Sequence, residues 1–333
     1  MTHRHTTLSH RAIHLFTLCA LCLLWLFPSI SSAQKNRPTT VDVGIFLNSV
    51  PSVALKERKF QVDFNIWFRW EGNGVEAIDA FSIEDGQIDV KEELAKKKVD
   101  GVNYSLYKVL ATLHNNFDLA KYPLDDHALH IRIKNPRLSS SEIVYRADTA
   151  NSNVSKHVHV PGWDVTHFGV ATSLEKDPFN YGDINGSKAT QAEHTEFAFT
   201  TDIRRNGYGN FFKLFSMLFF AGILSFFAFR VRADHLDARL ALIVSGIFMA
   251  AITASVISSA LPESDALDMA EQLYLCTMIF IFTSCLASLY TFKIFIEGKE
   301  DRANQLSRWL GMSLPVLYVI VNILVVNLAH NEI

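Results

Sequence analysis

The sequence predicts an exported all-β sandwich joined to a four-helix transmembrane bundle. Three observations predict it. Charge is spread unevenly: residues 34–205 carry 45 Asp, Glu, Lys and Arg in 172 positions, and residues 206–333 carry 18 in 128. Short runs with near two-residue apolar alternation, broken by turn residues, fill the first segment. Long apolar runs fill the second. The chain-wide averages of 49% hydrophobic and 20% charged, with net charge −3, hide this division. They exclude a disordered chain, a collagen-like chain and a basic nucleic-acid binder.

Residues 1–33 read as a signal peptide. Arg4 and Arg11 give a positive start, residues 15–27 an apolar run, and Ser31-Ser32-Ala33 a small-residue cleavage site before Gln34. An uncleaved membrane anchor is the alternative, but the run is short against the ~20 residues a span needs. Residues 34–206 are then the exported domain. Of the four cysteines, Cys19 and Cys22 lie in the signal and Cys276 and Cys285 in an apolar run. The exported domain therefore stands without disulfides, thiol catalysis or thiolate-metal sites.

Within it, Val41 to Leu47, Phe60 to Trp70, Tyr104 to Leu113, Leu129 to Ile133, Glu142 to Tyr145, Trp163 to Thr172 and Thr195 to Ile203 read as strands. Several short strands between turn signals argue for a sandwich. The charge run Glu92 to Lys98 reads as a solvated helix or loop. Chemistry is sparse. The 13 histidines are scattered, with His127 and His130 three apart and His157 and His159 two apart, and no H-E-x-x-H. There is no glycine-rich phosphate loop and no G-x-S-x-G. The expectation is no enzyme, no cofactor and no metal.

The remaining residues, 207–333, hold spans near 211–229, 240–262, 272–292 and 309–329. The first carries one charge, Lys213, and the other three none. Basic residues fix the orientation. Arg230, Arg232 and Arg239 follow the first span, and Lys293, Lys299, Arg302 and Arg308 follow the third. The link from Glu263 to Glu271 holds only acids. The exported domain and the C-terminus are expected outside, with four passes through an inner or plasma membrane.

The run Phe117-Asp-Leu-Ala-Lys-Tyr-Pro-Leu-Asp-Asp-His-Ala-Leu-His-Ile-Arg-Ile133 resembles the signature loop of pentameric ligand-gated ion channels. Animal members bracket that loop with a disulfide. Here Asn116-Phe117 and Leu129 stand at the brackets, so the chain resembles the Cys-less prokaryotic branch. Gly162-Trp163-Asp164-Val165, Trp70, Arg205 before the first span, and Leu261-Pro262 with Asp268 resemble further pieces of that family in the same order. The resemblance covers roughly Val41 to Ala329. It implies an immunoglobulin-like sandwich of about ten strands on a four-helix bundle, with five subunits around an ion pore. It also implies coupling between the domains through Pro123, Asp125, Arg205 and Pro262. In a partly dry junction Asp125 is expected to pair with Arg205 through a charge-assisted hydrogen bond, plain surface charges being the alternative. The chain departs from the family pattern in a shortened stretch between Trp70 and Phe117 without Trp-x-Pro-Asp, in Ser216 where a proline is usual, and in Leu124 after Pro123.

The second span can be read without the family. At about 100° per residue, Asp237, Ala241, Ser245, Phe248, Ile252, Ser255 and Ser259 fall within an arc of about 80°. Most large aliphatics lie elsewhere on the helix. Packing through small residues would give such a stripe, and so would a pore lining. In a pentamer each position becomes a ring: Asp237 a carboxylate ring at the inner mouth that attracts monovalent cations, the serines oxygen rings, Phe248 and Ile252 apolar rings that shut by dewetting. Arg239 is expected to point away from the axis. The family's ligand pocket lies between subunits, and Trp67, Phe179 and Tyr181 are candidate aromatic contacts. The ligand is a small molecule of unknown identity, or protons taken up by acids and histidines such as His127. The expected partners are further copies of the chain, the lipid bilayer and monovalent cations, with no nucleic acid. A channel-like receptor or scaffold that does not conduct is the rival reading.

Overall fold

The computed structural model describes residues 37–72, 77–176, 193–263 and 266–331. The expected signal peptide, residues 1–33, lies outside them. The described β region holds ten strands: β1 Thr39–Ala54, β2 Lys59–Glu71, β3 Ser82–Ile83, β4 Gly86–Val99, β5 Val102–His114, β6 Asp126–Lys134, β7 Ile143–Ala147, β8 Asn153–Val154, β9 Trp163–Lys176 and β10 Glu193–Arg205. One sheet runs β4-β5-β2-β1-β7, with β8 also on β1, and the other runs β3-β6-β10-β9.

The alternation seen in the sequence sets the core. Phe60, Val62, Phe64, Ile66 and Phe68 on β2 are all buried, every second residue. Register places Phe68 opposite Val43, Ile66 opposite Ile45 and Phe64 opposite Leu47. Leu129, Ile131 and Ile133 on β6, with Phe197, Phe199 and Ile203 on β10, supply the other sheet's buried face. Burying one such side chain contributes roughly 1.5–3 kcal/mol.

One expectation is overturned. Glu92 to Lys98 form part of β4, an edge strand paired along β5. Both faces of β4 are largely exposed, so no apolar alternation survives in its sequence. Charged side chains on an edge discourage pairing with another sheet. Lys91 anchors the strand, its Nζ 3.9 Å from the centroid of Phe81 and 4.6 Å from that of Tyr107. The shortened stretch before β4 is organised around Asp79, which accepts from Lys96 Nζ at 2.7 Å, Ser105 Oγ at 2.9 Å and Tyr107 OH at 2.7 Å.

Four helices follow: α1 Gly207–Ala228, α2 Leu236–Ala260, α3 Met269–Ile296 and α4 Glu300–Asn331. All four are long and apolar enough to cross a membrane. The structure shifts their ends. α4 starts at Glu300 instead of 309, because its first turns are polar but still helical. α2 ends at Ala260, which leaves Pro262 in the link and not in the helix. Gly246 lets α2 approach α1 closely: a Cβ there would stand 3.0 Å from the Ala221 carbonyl oxygen. α4 leaves Val316, Ile320 and Leu324 exposed, a surface suited to lipid.

Candidate functional site

Among the described residues, three chain segments join the β region to the helices. The turn between β1 and β2 reaches the end of α2, where Lys56 Nζ donates to the Ser258 carbonyl at 3.1 Å. The loop between β5 and β6 reaches the start of α3, where Met269 N–H donates to the Ala120 carbonyl at 3.1 Å. The chain from β10 enters α1 through Arg205 and Asn206.

Sheet register explains how Arg205 finds its partners. It pairs with Trp163 on β9, while its neighbour Arg204 pairs with Asp126 on β6. Asp125 therefore lies one residue before its own strand and beside Arg205. Arg205 Nε donates to Asp125 Oδ1 at 2.6 Å and Nη2 donates to Oδ2 at 3.0 Å. The Arg205 backbone N–H also donates to the Asp125 carbonyl at 3.1 Å. The guanidinium lies over the ring of Trp163 at 4.1 Å and that of Tyr122 at 5.0 Å, an aromatic cage for a cation. Asp125 Oδ2 is also bonded to His127 Nε2 at 2.7 Å. The Asp125 side chain is 1% exposed and that of Arg205 14%. Burial pushes the Asp125 carboxyl up, but His127 and Arg205 outweigh it and hold the carboxyl below its ordinary value. Pro123 is buried in the same loop.

Asp268 is the N-cap of α3. Its side chain accepts from Glu271 N–H at 2.8 Å, while Glu271 Oε2 accepts from the Asp268 N–H at 3.3 Å, a capping box. Burial is the main cause that pushes Asp268 up to about 6, and the Glu271 charge adds to it. Asp268 lines a crevice of about 360 Å³ with Pro262, Arg58 and the loop residues Asn116 to Ala120.

On α2, all seven stripe residues from Asp237 to Ser259 are exposed in the single chain. Arg239, Ile243, Gly246, Ala250, Thr253 and Ile257 are buried. At about 100° per residue these six centre roughly 160° from the stripe. Ser245 Oγ donates to the Ala241 carbonyl at 2.8 Å and Ser259 Oγ to that of Val256 at 2.7 Å. Their oxygens remain on the exposed face as acceptors. Arg239 turns the other way and is fully buried. Its Nε and Nη2 donate to the Val231 carbonyl at 3.1 and 2.6 Å, Nη1 to Thr291 Oγ1 at 2.9 Å and Nη2 to Ser307 Oγ at 2.7 Å. One guanidinium thus ties the α1–α2 turn to α3 and α4.

The aromatic candidates fare differently. Trp67 is half-buried, packs its ring over Gly44 and donates Nε1–H to Asp148 Oδ2 at 3.1 Å. Phe179 and Tyr181 lie outside the described residues. Sequence reasoning missed a cluster on the second sheet, where Glu84, Glu175 and Glu196 bring carboxylate oxygens within 4.8 Å of one another. Lys134 Nζ stands 2.5 Å from Glu84 and 3.9 Å from Glu175. Burial and the Glu84 charge push Glu196 up to about 7. These residues are far apart in the sequence, and only strand pairing brings them together.

No family model matches the chain. The chain is similar to a proton-gated ion channel of Gloeobacter violaceus, 20% identical over 330 residues, covering 91% of this chain and 89% of the relative. The four apolar helices after a β-rich domain make it a multi-pass membrane protein. Ten described strands followed by four long apolar helices are consistent with the fold of the pentameric ligand-gated ion channels, the family that the loop from Phe117 to Ile133 resembles.

Proposed function

We propose that the chain forms a homopentamer in a bilayer, that its α2 helices line an ion pore, and that protons reaching the outer domain gate it. The observation that carries this reading is the division of α2. Its small, hydroxylic and acidic stripe stays free of the subunit's own core, while Arg239 and five other residues opposite it are buried. In a ring of subunits that stripe faces the axis. Asp237 then sets five carboxylates at one mouth, which favour monovalent cations. Proton gating draws on the relative's own property and on Asp268 and Glu196, two buried carboxyls that burial pushes up to about 6 and about 7. The orientation read from the basic links puts the sandwich outside and Asp237 at the inner mouth.

Phe248, 65% exposed on the stripe, favours a second reading. Five such rings would close a narrow pore, leaving a receptor that changes shape without conducting. The test is cation flux in proteoliposomes after a step of the outer pH from 7.5 to about 5. Flux above that of empty vesicles supports the channel. A proton-driven conformational change without flux, in both the native chain and Phe248→Ala, supports the second reading.

A further inference from the structure

Two grooves meet at Arg58 and Asn116. The upper groove, about 820 Å³, runs along the sandwich past His114, His130, Arg132 and Asp85. The lower is the crevice of about 360 Å³ between the β5–β6 loop and the α2–α3 link. The upper groove holds two guanidinium groups, two imidazoles and one carboxylate. That carboxylate, Asp85, is already bonded to Arg132. The Arg58 guanidinium has no hydrogen bond or ion pair with any described residue, and neither has the Asn116 amide.

The backbone holds Arg58 in this place. Its φ is 52°, in the left-handed region that disfavours any residue with a side chain. Two bonds keep it there: Arg58 N–H donates to the Leu55 carbonyl at 3.0 Å, and Asn115 N–H donates to the Arg58 carbonyl at 2.9 Å. Glycine would fit this turn more cheaply. A guanidinium fixed on a strained turn, beside a free amide and over a groove, matches the forked geometry of a carboxylate or phosphate.

We propose that the Arg58–Asn116 junction is a binding site for a small oxyanion, a carboxylate or a phosphate. The charged end sits on Arg58 and Asn116. The lower crevice offers apolar walls from Leu119, Pro262 and Leu267, and the acids Asp118 and Asp268, so the site takes one anionic group followed by an apolar stem. Such a ligand touches both the β5–β6 loop and the α2–α3 link, and its occupancy bears on their coupling. Only that last consequence rests on the channel reading. Binding does not, so the two are tested apart.

The shared chemistry has two sources, a free metabolite or a phospholipid headgroup of the outer leaflet. The full chain in detergent is titrated with butyrate and with inorganic phosphate against chloride at equal ionic strength, following Tm. The same melt is run in nanodiscs of phosphatidylcholine with and without phosphatidylglycerol. The expected result is a rise in Tm with an oxyanion or with phosphatidylglycerol. Arg58→Gln should weaken the response at least tenfold, Asn116→Ala less, and Arg137→Gln on another loop not at all. A shift seen only with phosphatidylglycerol and lost in Arg58→Gln assigns the site to a headgroup. No shift in any arm, or equal shifts in the native chain and both junction variants, overturns the proposal. An Arg58-dependent shift in a chain that carries no current leaves the site standing and removes the channel reading alone.

Discussion

Arg205, its guanidinium over the ring of Trp163, holds Asp125 through two parallel hydrogen bonds of 2.6 and 3.0 Å. The pair lies where the last strand leaves for the first helix. Removing one partner strands a buried charge, which costs ~3–5 kcal/mol. Arg205→Ala and Asp125→Ala should each lower the melting temperature and the yield of assembled protein. Arg205→Lys should fall between, because an ammonium keeps the charge but loses the fork. The check is thermal melting with size-exclusion chromatography in detergent. Native behaviour in all three variants would remove the pair from the account.

This pair should also resist acid. Asp125 is held below its ordinary value, so its contribution is present above the unfolded value and is lost only as pH falls through the lower folded one. Between pH 8 and 5 its stabilisation should stay constant. Melting curves of the native chain and Asp125→Asn should keep a constant separation over that range.

Asp268 behaves in the opposite way. Its carboxyl is raised to about 6, so the relief of its burial is complete below the unfolded value and is lost as pH rises through 6. Acid therefore stabilises whichever conformation keeps Asp268 most buried. For protons to open the pore through this residue, the open state must bury it further. Asp268→Asn keeps the helix cap, since Asn caps as well as Asp, and removes the titration. The variant should lose the part of the pH response centred near 6 while folding normally. An unchanged pH midpoint would exclude Asp268 as a proton site.

Arg239 lies on the face of α2 opposite the proposed pore stripe. Arg239→Ala removes hydrogen bonds to Val231, Thr291 and Ser307 and empties a buried volume, a loss of roughly 3 kcal/mol or more. Differential scanning fluorimetry should show a lower Tm, whereas Ala238→Ser on the exposed side should leave it near native.

Much of this was legible in the sequence because it is local. The angular separation of Asp237 from Arg239 follows from two residues of helix, and the β2 core from alternation alone. β4 was not legible, because an edge strand exposed on both faces has no apolar period and its charges read equally well as helix or loop. Asp268 and Glu196 were not legible as buried acids either. Their burial depends on the Ala120 loop and on strand pairing with Lys134, contacts far away in sequence. Trp67 read equally well as a ligand contact or as core, because its tie to Asp148 spans 81 residues.

The central claim is that the Asp237–Ser259 stripe of α2 lines a cation-preferring pore. Its most direct test is the reversal potential of Phe248→Ala in a planar bilayer under a tenfold NaCl gradient. Removing the bulky ring should give a standing current that reverses near the sodium equilibrium potential, and adding Asp237→Ala should move the reversal toward zero. Reversal near the chloride potential, a reversal indifferent to Asp237, or no current above that of an empty bilayer would contradict the claim.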